Sequence, residues 1–559
     1  MNTEKIILYQ VFTRLYGNRN TIRNEGGTIE ENGCGKLNDF TPSALKKIRE
    51  MGVSHIWYTG VIRHATMTDY SAYGIPRQHP AVVKGRAGSP YAITDYYDID
   101  PDLAVDVDKR MEEFGALIER THKAGMKVII DFVPNHVARQ YHSICKPEGV
   151  KDLGEGDNPQ NGFDPQNNFY YCPGQRFTPY FDLYHGEDEP YIEEPAKATG
   201  NDCFHNAPGM NDWYETVKLN YGVDYYAGRV GHFVPIPNTW SKMTDILLFW
   251  AAKGIDGFRC DMAEMVPVEF WEWVIPQVKV AFPDILFIAE VYNPAEYRNY
   301  IHRGHFDYLY DKVGLYDTLK AVAQGSASAQ SITSCWQQTD DIRMNMLNFL
   351  ENHDEQRIAS DFFVGDARKG RAPLLVSALM YKNPFMVYFG QELGERGMDE
   401  EGFSGRDGRT TIFDYWTVDT IRRWRNKGSF DGKHLSEEEL LLRNFYALVL
   451  KLKAQESAFS DGEFFDLMYK NPHLHLQYVF ARKGKKNVFM VVANFSEKDQ
   501  QVQINLPRHL FELWKIKEKQ AFSGTDVLSG KKIKLDFCTD KPLSITVPAW
   551  NGIVLKIVI

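Results

Sequence analysis

Cysteine is scarce in this 559-residue chain, and its seven copies, at 34, 145, 172, 203, 260, 335 and 538, never fall in a C-x-x-C spacing. That scatter argues against a structural zinc site and against a disulfide framework, and leaves buried, reduced thiols as the expectation. Long apolar runs are missing too. DILLFWAA and PLLVSALMY are the longest stretches and fit core helices, far short of the roughly 18 residues that span a bilayer, so no membrane partner is expected. An apolar leader is not expected either, because MNTEK passes directly into the strand-like ILYQVF. Cytoplasmic residence is therefore expected. Clustered positive charge is the last absence: with a net charge of −10 and no Lys/Arg tract, the chain has nothing to neutralise phosphates, and no nucleic-acid partner is expected.

What the chain does have is the apolar and charged content of a globular protein, 43% and 25%, at a length that calls for about three units. Residues 1–136 alternate strand-like runs with helix-like ones, the pattern of parallel strands joined by crossover helices. The alternation stops over 137–238, where Gly, Pro, Asn, Asp and Tyr dominate, and such a stretch is too long for a plain loop. A small inserted domain after the third strand is predicted there. Over 239–457 the alternation resumes, and the strand candidates 6–12, 53–58, 127–133, 255–261, 285–291, 306–310, 345–351 and 384–390 make eight, the number that closes a (β/α)8 TIM barrel. From 458 to 559, short alternating runs such as LQYVFAR, NVFMVVANF and LSITVPA predict a C-terminal all-β sandwich.

Four segments then concentrate polar chemistry where barrel strands should end: DFVPNH at 131–136, GFRCD at 257–261, FIAE at 287–290 and ENHD at 351–354. Barrel active sites lie at those ends. In GFRCD, Arg259 and Asp261 share a face and Cys260 does not. A guanidinium so close is expected to lower the Asp261 pKa and keep an anionic nucleophile, although a structural Arg–Asp pair would look the same. Glu290 follows an apolar run and precedes Val291 and Tyr292, surroundings expected to hold its proton for general-acid work. One carboxyl that attacks and one that protonates is the pair glycoside hydrolysis uses. Asp354 is the candidate for stabilising positive charge at the sugar carbon, whereas Asp131 reads better as a support that binds Arg259 or ties down loop backbone.

These segments resemble the four signature regions of glycoside hydrolase family 13, the α-amylase family, and the likeness includes the insertion after strand three and the C-terminal sandwich. The resemblance implies retaining chemistry on α-glucosidic bonds with Asp261 as nucleophile, Glu290 as acid/base and Asp354 as stabiliser. It also implies sugar contacts from Arg259, His136 and His353, and stacking by Tyr91 within PYAITDYYDIDP. Exo-acting glucosidases of the family carry an acidic residue after that tyrosine; Ala92 here implies an open cleft. Where many amylases follow the nucleophile with Lys-His, this chain has Glu264 and Met265, implying a lost substrate contact. No cofactor is needed for the chemistry, but the resemblance leaves room for a structural calcium ion at Asn135. The Asn- and Gly-rich loop NRNTIRNEGGTIEENGCG lacks the Asp ladder of the family's other cation loop.

The reading is an α-amylase or neopullulanase type hydrolase of maltooligosaccharides or starch-like chains. A 4-α-glucanotransferase using the same residues is the alternative, and a non-catalytic glucan-binding homologue is the remote one. Bond preference, chain length and oligomeric state stay open.

Overall fold

The computed structural model describes residues 5–403 and 405–559. Eight strands form a closed barrel: β1 (Ile7–Phe12), β2 (His55–Thr59), β3 (Lys127–Phe132), β4 (Gly257–Cys260), β5 (Leu286–Ala289), β6 (Tyr308–Tyr310), β7 (Met346–Phe349) and β8 (Phe385–Tyr388). Every neighbouring pair is parallel, and β8 returns to β1 through Ile7 opposite Phe385. All eight predicted strands are present, each within three residues of the expected ends. The runs are apolar on both faces because helices cover the outside and side chains fill the inside. At the start of β4 the packing is tight enough to require glycine: a Cβ on Gly257 would lie 2.6 Å from Ile129 Cδ1 and 2.9 Å from Leu286 O.

Helix ends follow from local chemistry. Thr41 Oγ1 accepts from Ala44 N–H ahead of Pro42–Arg49, and Ser436 forms a capping box with Glu439 at the start of Glu437–Gln455. Gly125, at φ 76°, turns the chain out of Arg110–Lys123 and directly into β3.

The stretch after β3 forms short antiparallel pairs rather than a long sheet. His136–Ala138 pairs with Thr216–Lys218, Tyr171–Cys172 with Ala196–Lys197, and Val223–Asp224 with Val230–Gly231. Its rings divide: Phe169, Tyr170, Tyr171 and Phe177 are buried, while Tyr180 and Tyr184 are exposed. C-terminal to the barrel, a six-stranded antiparallel sheet from Glu463 to Val558 is accompanied by the pair Gln500–Ile504 and Leu543–Val547. The short helix Arg508–Trp514 between those strands was not anticipated; Leu510, Phe511 and Trp514 bury its inner face. Arg482 from this sheet and Lys453 donate to carbonyls at the end of Arg371–Leu379, tying sheet to barrel. All seven cysteines are free thiols, four of them buried. Among the described residues, no helix is long and apolar enough to cross a membrane.

Candidate active site

The ladder of the barrel carries Asp261 and Glu290 to their places. Asp261 N–H bonds Phe132 O at 2.9 Å and Glu290 N–H bonds Cys260 O at 3.1 Å, so both carboxyls emerge just beyond β4 and β5. Arg259 lies opposite Asp131 on the neighbouring strand, and its side chain is fully buried. Its Nη1 donates to Asp261 Oδ1 at 2.7 Å and to Asp131 Oδ1 at 3.3 Å, its Nη2 pairs with Glu290 Oε2 at 2.7 Å, and its Nε donates to the Tyr310 hydroxyl at 3.0 Å. One guanidinium thus serves three carboxylates. Asp131 also accepts from Trp57 Nε1 at 2.9 Å, which makes it a support for Arg259.

Glu290 is less apolar in its surroundings than its sequence neighbours implied. Besides Arg259 it meets Met262 N–H at 2.8 Å and the Tyr292 hydroxyl at 2.7 Å, both donating. Met262 reaches Glu290 from the left-handed region, at φ 43° and ψ 42°, a conformation that costs a side-chain-bearing residue about 1–3 kcal/mol. That strain is held next to the two carboxyls.

Asp354 reaches the site differently. Asn352 Oδ1 accepts from the N–H groups of Asp354 and Glu355 at 2.9 and 3.0 Å, forming a turn that points Asp354 back over the barrel. His353 Nε2 lies 3.1 Å from Asp354 Oδ2 and 2.6 Å from the Tyr91 hydroxyl, and its Nδ1 is 2.8 Å from Gln10 Nε2.

The electrostatics correct one expectation. Arg259 does pull the Asp261 pKa down, but burial pushes it up more strongly, and the negative charges of Glu290, Asp131 and Asp354 add to the rise. Asp261 is therefore raised, not lowered. Asp354 is pushed up to about 7 by burial and by Glu290, and Asp131 to about 6 by burial against Arg259. Asp131, Asp261 and Asp354 are thus all raised by burial around Arg259, and titration in such a cluster is shared rather than owned by one residue. The histidines move the opposite way: burial, with Lys218 nearby, drops His136 to about 3, and burial with Arg259 takes His353 well below its ordinary value. Both are neutral rings at working pH.

Asp261, Glu290 and Asp354 open into one cavity of about 410 Å3 that Tyr91 and His136 also line. Arg259 and His353, expected to touch the sugar, stand behind that wall with fully buried side chains and reach the cavity only through Asp261, Glu290, Tyr91 and Asp354. Other walls come from Trp213 and Glu215 of the inserted segment, Lys84 of the loop after β2, and Phe403, Ile412 and Phe413 of the loop after β8; of these, the sequence points only to Trp213, as one ring among several in the insertion. Only Trp213, of the inserted segment's rings, faces the cavity. Tyr310 and Tyr292 were legible in principle, since one closes a barrel strand and the other lies two residues past Glu290. The loop residues carried no such signal.

With this geometry in place, comparison identifies the lineage. Residues 27–427 match the family described as alpha amylase, catalytic domain. The chain belongs to the α-amylase family. Alpha-amylase 3 of Dictyoglomus thermophilum is 24% identical over 67% of this chain and 68% of its own length. Neopullulanase 2 of Thermoactinomyces vulgaris is 20% identical over 99% and 77%. The crystal structure of a noncanonic maltogenic α-amylase from Thermotoga neapolitana superposes with a TM-score of 0.63 at 18% identity, covering all of both chains.

Two details separate this member of the α-amylase family from the expectations above. Ala92 is not among the residues lining the cavity; it is buried with Ala65, Val83 and Ala138, while Lys84, Glu215 and Phe413 line the wall. The Asn135 site does not fit calcium, because its Oδ1 accepts from the Lys218 ammonium at 2.6 Å and its Nδ2 donates to Gly200 O at 2.7 Å. Glu264 accepts from Asn293 N–H at 3.0 Å and, with Met265, borders a second hollow together with Tyr225 and Phe233. In the loop after β1, Asn18 and Asn32 are spent on the carbonyls of Trp416 and Tyr415.

Proposed function

We propose that this chain is a retaining α-glucan hydrolase of the α-amylase or neopullulanase type, acting on maltooligosaccharides or starch-like chains. The observation that carries the reading is the shared guanidinium: Arg259 contacts Asp261 and Glu290 through neighbouring nitrogens, each at 2.7 Å. One fork that holds both carboxyls brings a nucleophile and an acid/base to the same point of the cavity, the pairing that a double displacement uses. Asp261 attacks the anomeric carbon as Glu290 gives its proton to the departing glycosidic oxygen. Water, deprotonated by Glu290, then releases the sugar with its α configuration kept. Asp354 faces the positive charge that builds at the ring, Tyr91 offers its face to the sugar, and neutral His136 offers a ring nitrogen to a hydroxyl.

Asp261 must be the anion when it attacks, and Arg259, 2.7 Å from its Oδ1, is the group that favours that form. Positive charge developing at the sugar carbon then attracts the carboxylates of Asp261 and Asp354. Asp261→Asn tests the reading: cleavage of maltoheptaose should fall by several orders of magnitude, and a variant as active as the wild type would sink it.

Transfer to a sugar acceptor is the second reading, favoured by the hollow beside Glu264 in which Tyr225 and Phe233 supply apolar rings for an acceptor. Products of maltoheptaose decide between the two. Oligosaccharides longer than the substrate mean transfer, and shorter ones alone mean hydrolysis.

A further inference from the structure

The inserted segment is fastened to the barrel through a lysine. Lys218 lies directly opposite His136 in the antiparallel pair His136–Ala138 with Thr216–Lys218, and its side chain is almost fully buried. Its ammonium is 2.6 Å from Asn135 Oδ1 and 2.6 Å from Asp202 Oδ1, and it sits 5.5 Å from the centre of the Tyr225 ring. An ammonium has three protons, and here it meets two oxygens and one aromatic face. Asp202 is held at φ 68°, outside the usual range for a residue with a side chain, and its other oxygen lies 3.4 Å from Arg229.

Around this point the backbone converges on His136. Leu219 N–H bonds Asn135 O at 2.9 Å, Gly200 N–H bonds Thr216 Oγ1 at 3.1 Å, and a Cβ on Gly200 would lie 2.8 Å from His136 Cβ. His136 therefore has its position in the cavity wall set by Asn135, Gly200 and the strand of Lys218. A hard divalent cation at Asn135 would need six to eight oxygens at about 2.3–2.6 Å. It would also face Lys218 and Arg229, which already share the Asp202 carboxylate, a repulsive arrangement at close range.

We infer that Lys218 is a built-in cation, doing at the junction of barrel and inserted segment what a bound calcium ion would do, so that the wall carrying His136 is held without metal. Lys218 is thus a positioning residue for His136. The charge is tethered, cannot be stripped by a chelator, and matches the single carboxylate of Asp202.

The test compares wild type, Lys218→Met and Lys218→Ala in EDTA, in calcium chloride and in ethylammonium chloride, reading unfolding temperature and the kinetics of maltoheptaose cleavage. The kinetic arm rests on the proposed activity; the unfolding arm does not. Wild-type unfolding should be the same in all three solutions. Lys218→Met, which keeps the stem and loses the charge, should unfold several degrees lower and lose kcat/KM on the order of 10²-fold, as expected when a wall residue moves by about an ångström. Lys218→Ala should regain part of both losses with ethylammonium or calcium. A wild type that loses stability in EDTA and recovers it with calcium overturns the inference, as does Lys218→Met equal to the wild type, or folded Lys218→Ala restored by neither cation. If Lys218→Ala does not fold, a double-mutant cycle of Lys218→Met with Asp202→Asn on urea unfolding decides: coupling is expected, and additivity overturns it.

Discussion

The Tyr91 hydroxyl lies 2.6 Å from His353 Nε2, and the two rings stack at 5.3 Å with 29° between their planes. The pair links the loop after β2 to the turn that presents Asp354, so Tyr91 offers its face to the cavity while His353 fixes its edge. Tyr91→Phe keeps the ring and removes the bond. It should lower kcat/KM for maltoheptaose by about 2–10-fold, the worth of one buried hydrogen bond. Tyr91→Ala should lose considerably more, because the ring goes too. Equal losses in the two variants would show that the ring contributes nothing.

Arg259 contacts Asp131, Asp261 and Glu290 together. Removing it as Arg259→Ala leaves buried carboxyls without a partner, which should cost about 3–5 kcal/mol of folding stability in urea unfolding. Activity should fall by several orders of magnitude. Arg259→Lys should recover some stability and little activity, since a compact ammonium cannot reach three carboxylates at once in the planar geometry of the fork. Full activity in Arg259→Lys would mean that charge alone, without the fork, organises the site.

The strand ends were legible because a barrel strand is an apolar run with one place for a polar side chain to go. Asp261, Glu290 and His353 each follow such a run, and periodicity located them within a residue or two. The Asp261 pKa was misjudged for a reason sequence conceals: Arg259 and Asp261 are two residues apart, but Asp131, Glu290 and Asp354 come from distant segments, and only the closed barrel makes them compete for one guanidinium. Lys218 was invisible for the same cause. Nothing in TVKLN announces a buried ammonium until the strand pairs with His136. The cavity's outer walls lie on long loops, at Lys84, Glu215 and Phe413, where composition carries no direction.

Asp354 gives a pH dependence whose sign can be worked out. Its carboxyl titrates near 3.8 when free and at about 7 in the folded protein, where burial and the charge of Glu290 hold its proton. Between those values the native state binds the proton and the unfolded chain does not, so this group's contribution to stability is present below about pH 4 and is lost as the pH rises to about 7. Asparagine resembles the protonated acid and cannot ionise. Asp354→Asn should therefore unfold at nearly the wild-type temperature at about pH 4 and at a higher temperature at about pH 8, with activity nearly abolished. An unfolding difference that does not change with pH would remove Asp354 as its source.

The length of chain that the cleft accepts should be set at the wall built from Lys84, Glu215 and Phe413. Ala87 N–H bonds Phe413 O at 2.9 Å, and the Lys84 ammonium sits 4.8 Å from the centre of the Phe413 ring, so the loops after β2 and β8 are joined beside the cavity. Glu215 lines the same wall, nearly buried, with burial raising its pKa and, among the described residues, no hydrogen-bond partner for one carboxyl oxygen. A buried oxygen left unpaired in a sugar-binding cavity is costly until a hydroxyl reaches it. Glu215→Gln keeps the shape and weakens the acceptor; it should raise KM by about 3–10-fold with a smaller change in kcat. Lys84→Ala opens the wall and should shift maltoheptaose products toward longer fragments, read by chromatography of early time points. If neither variant alters KM or the product pattern, the loops after β2 and β8 do not set chain length, and the second hollow beside Glu264 becomes the region to mutate.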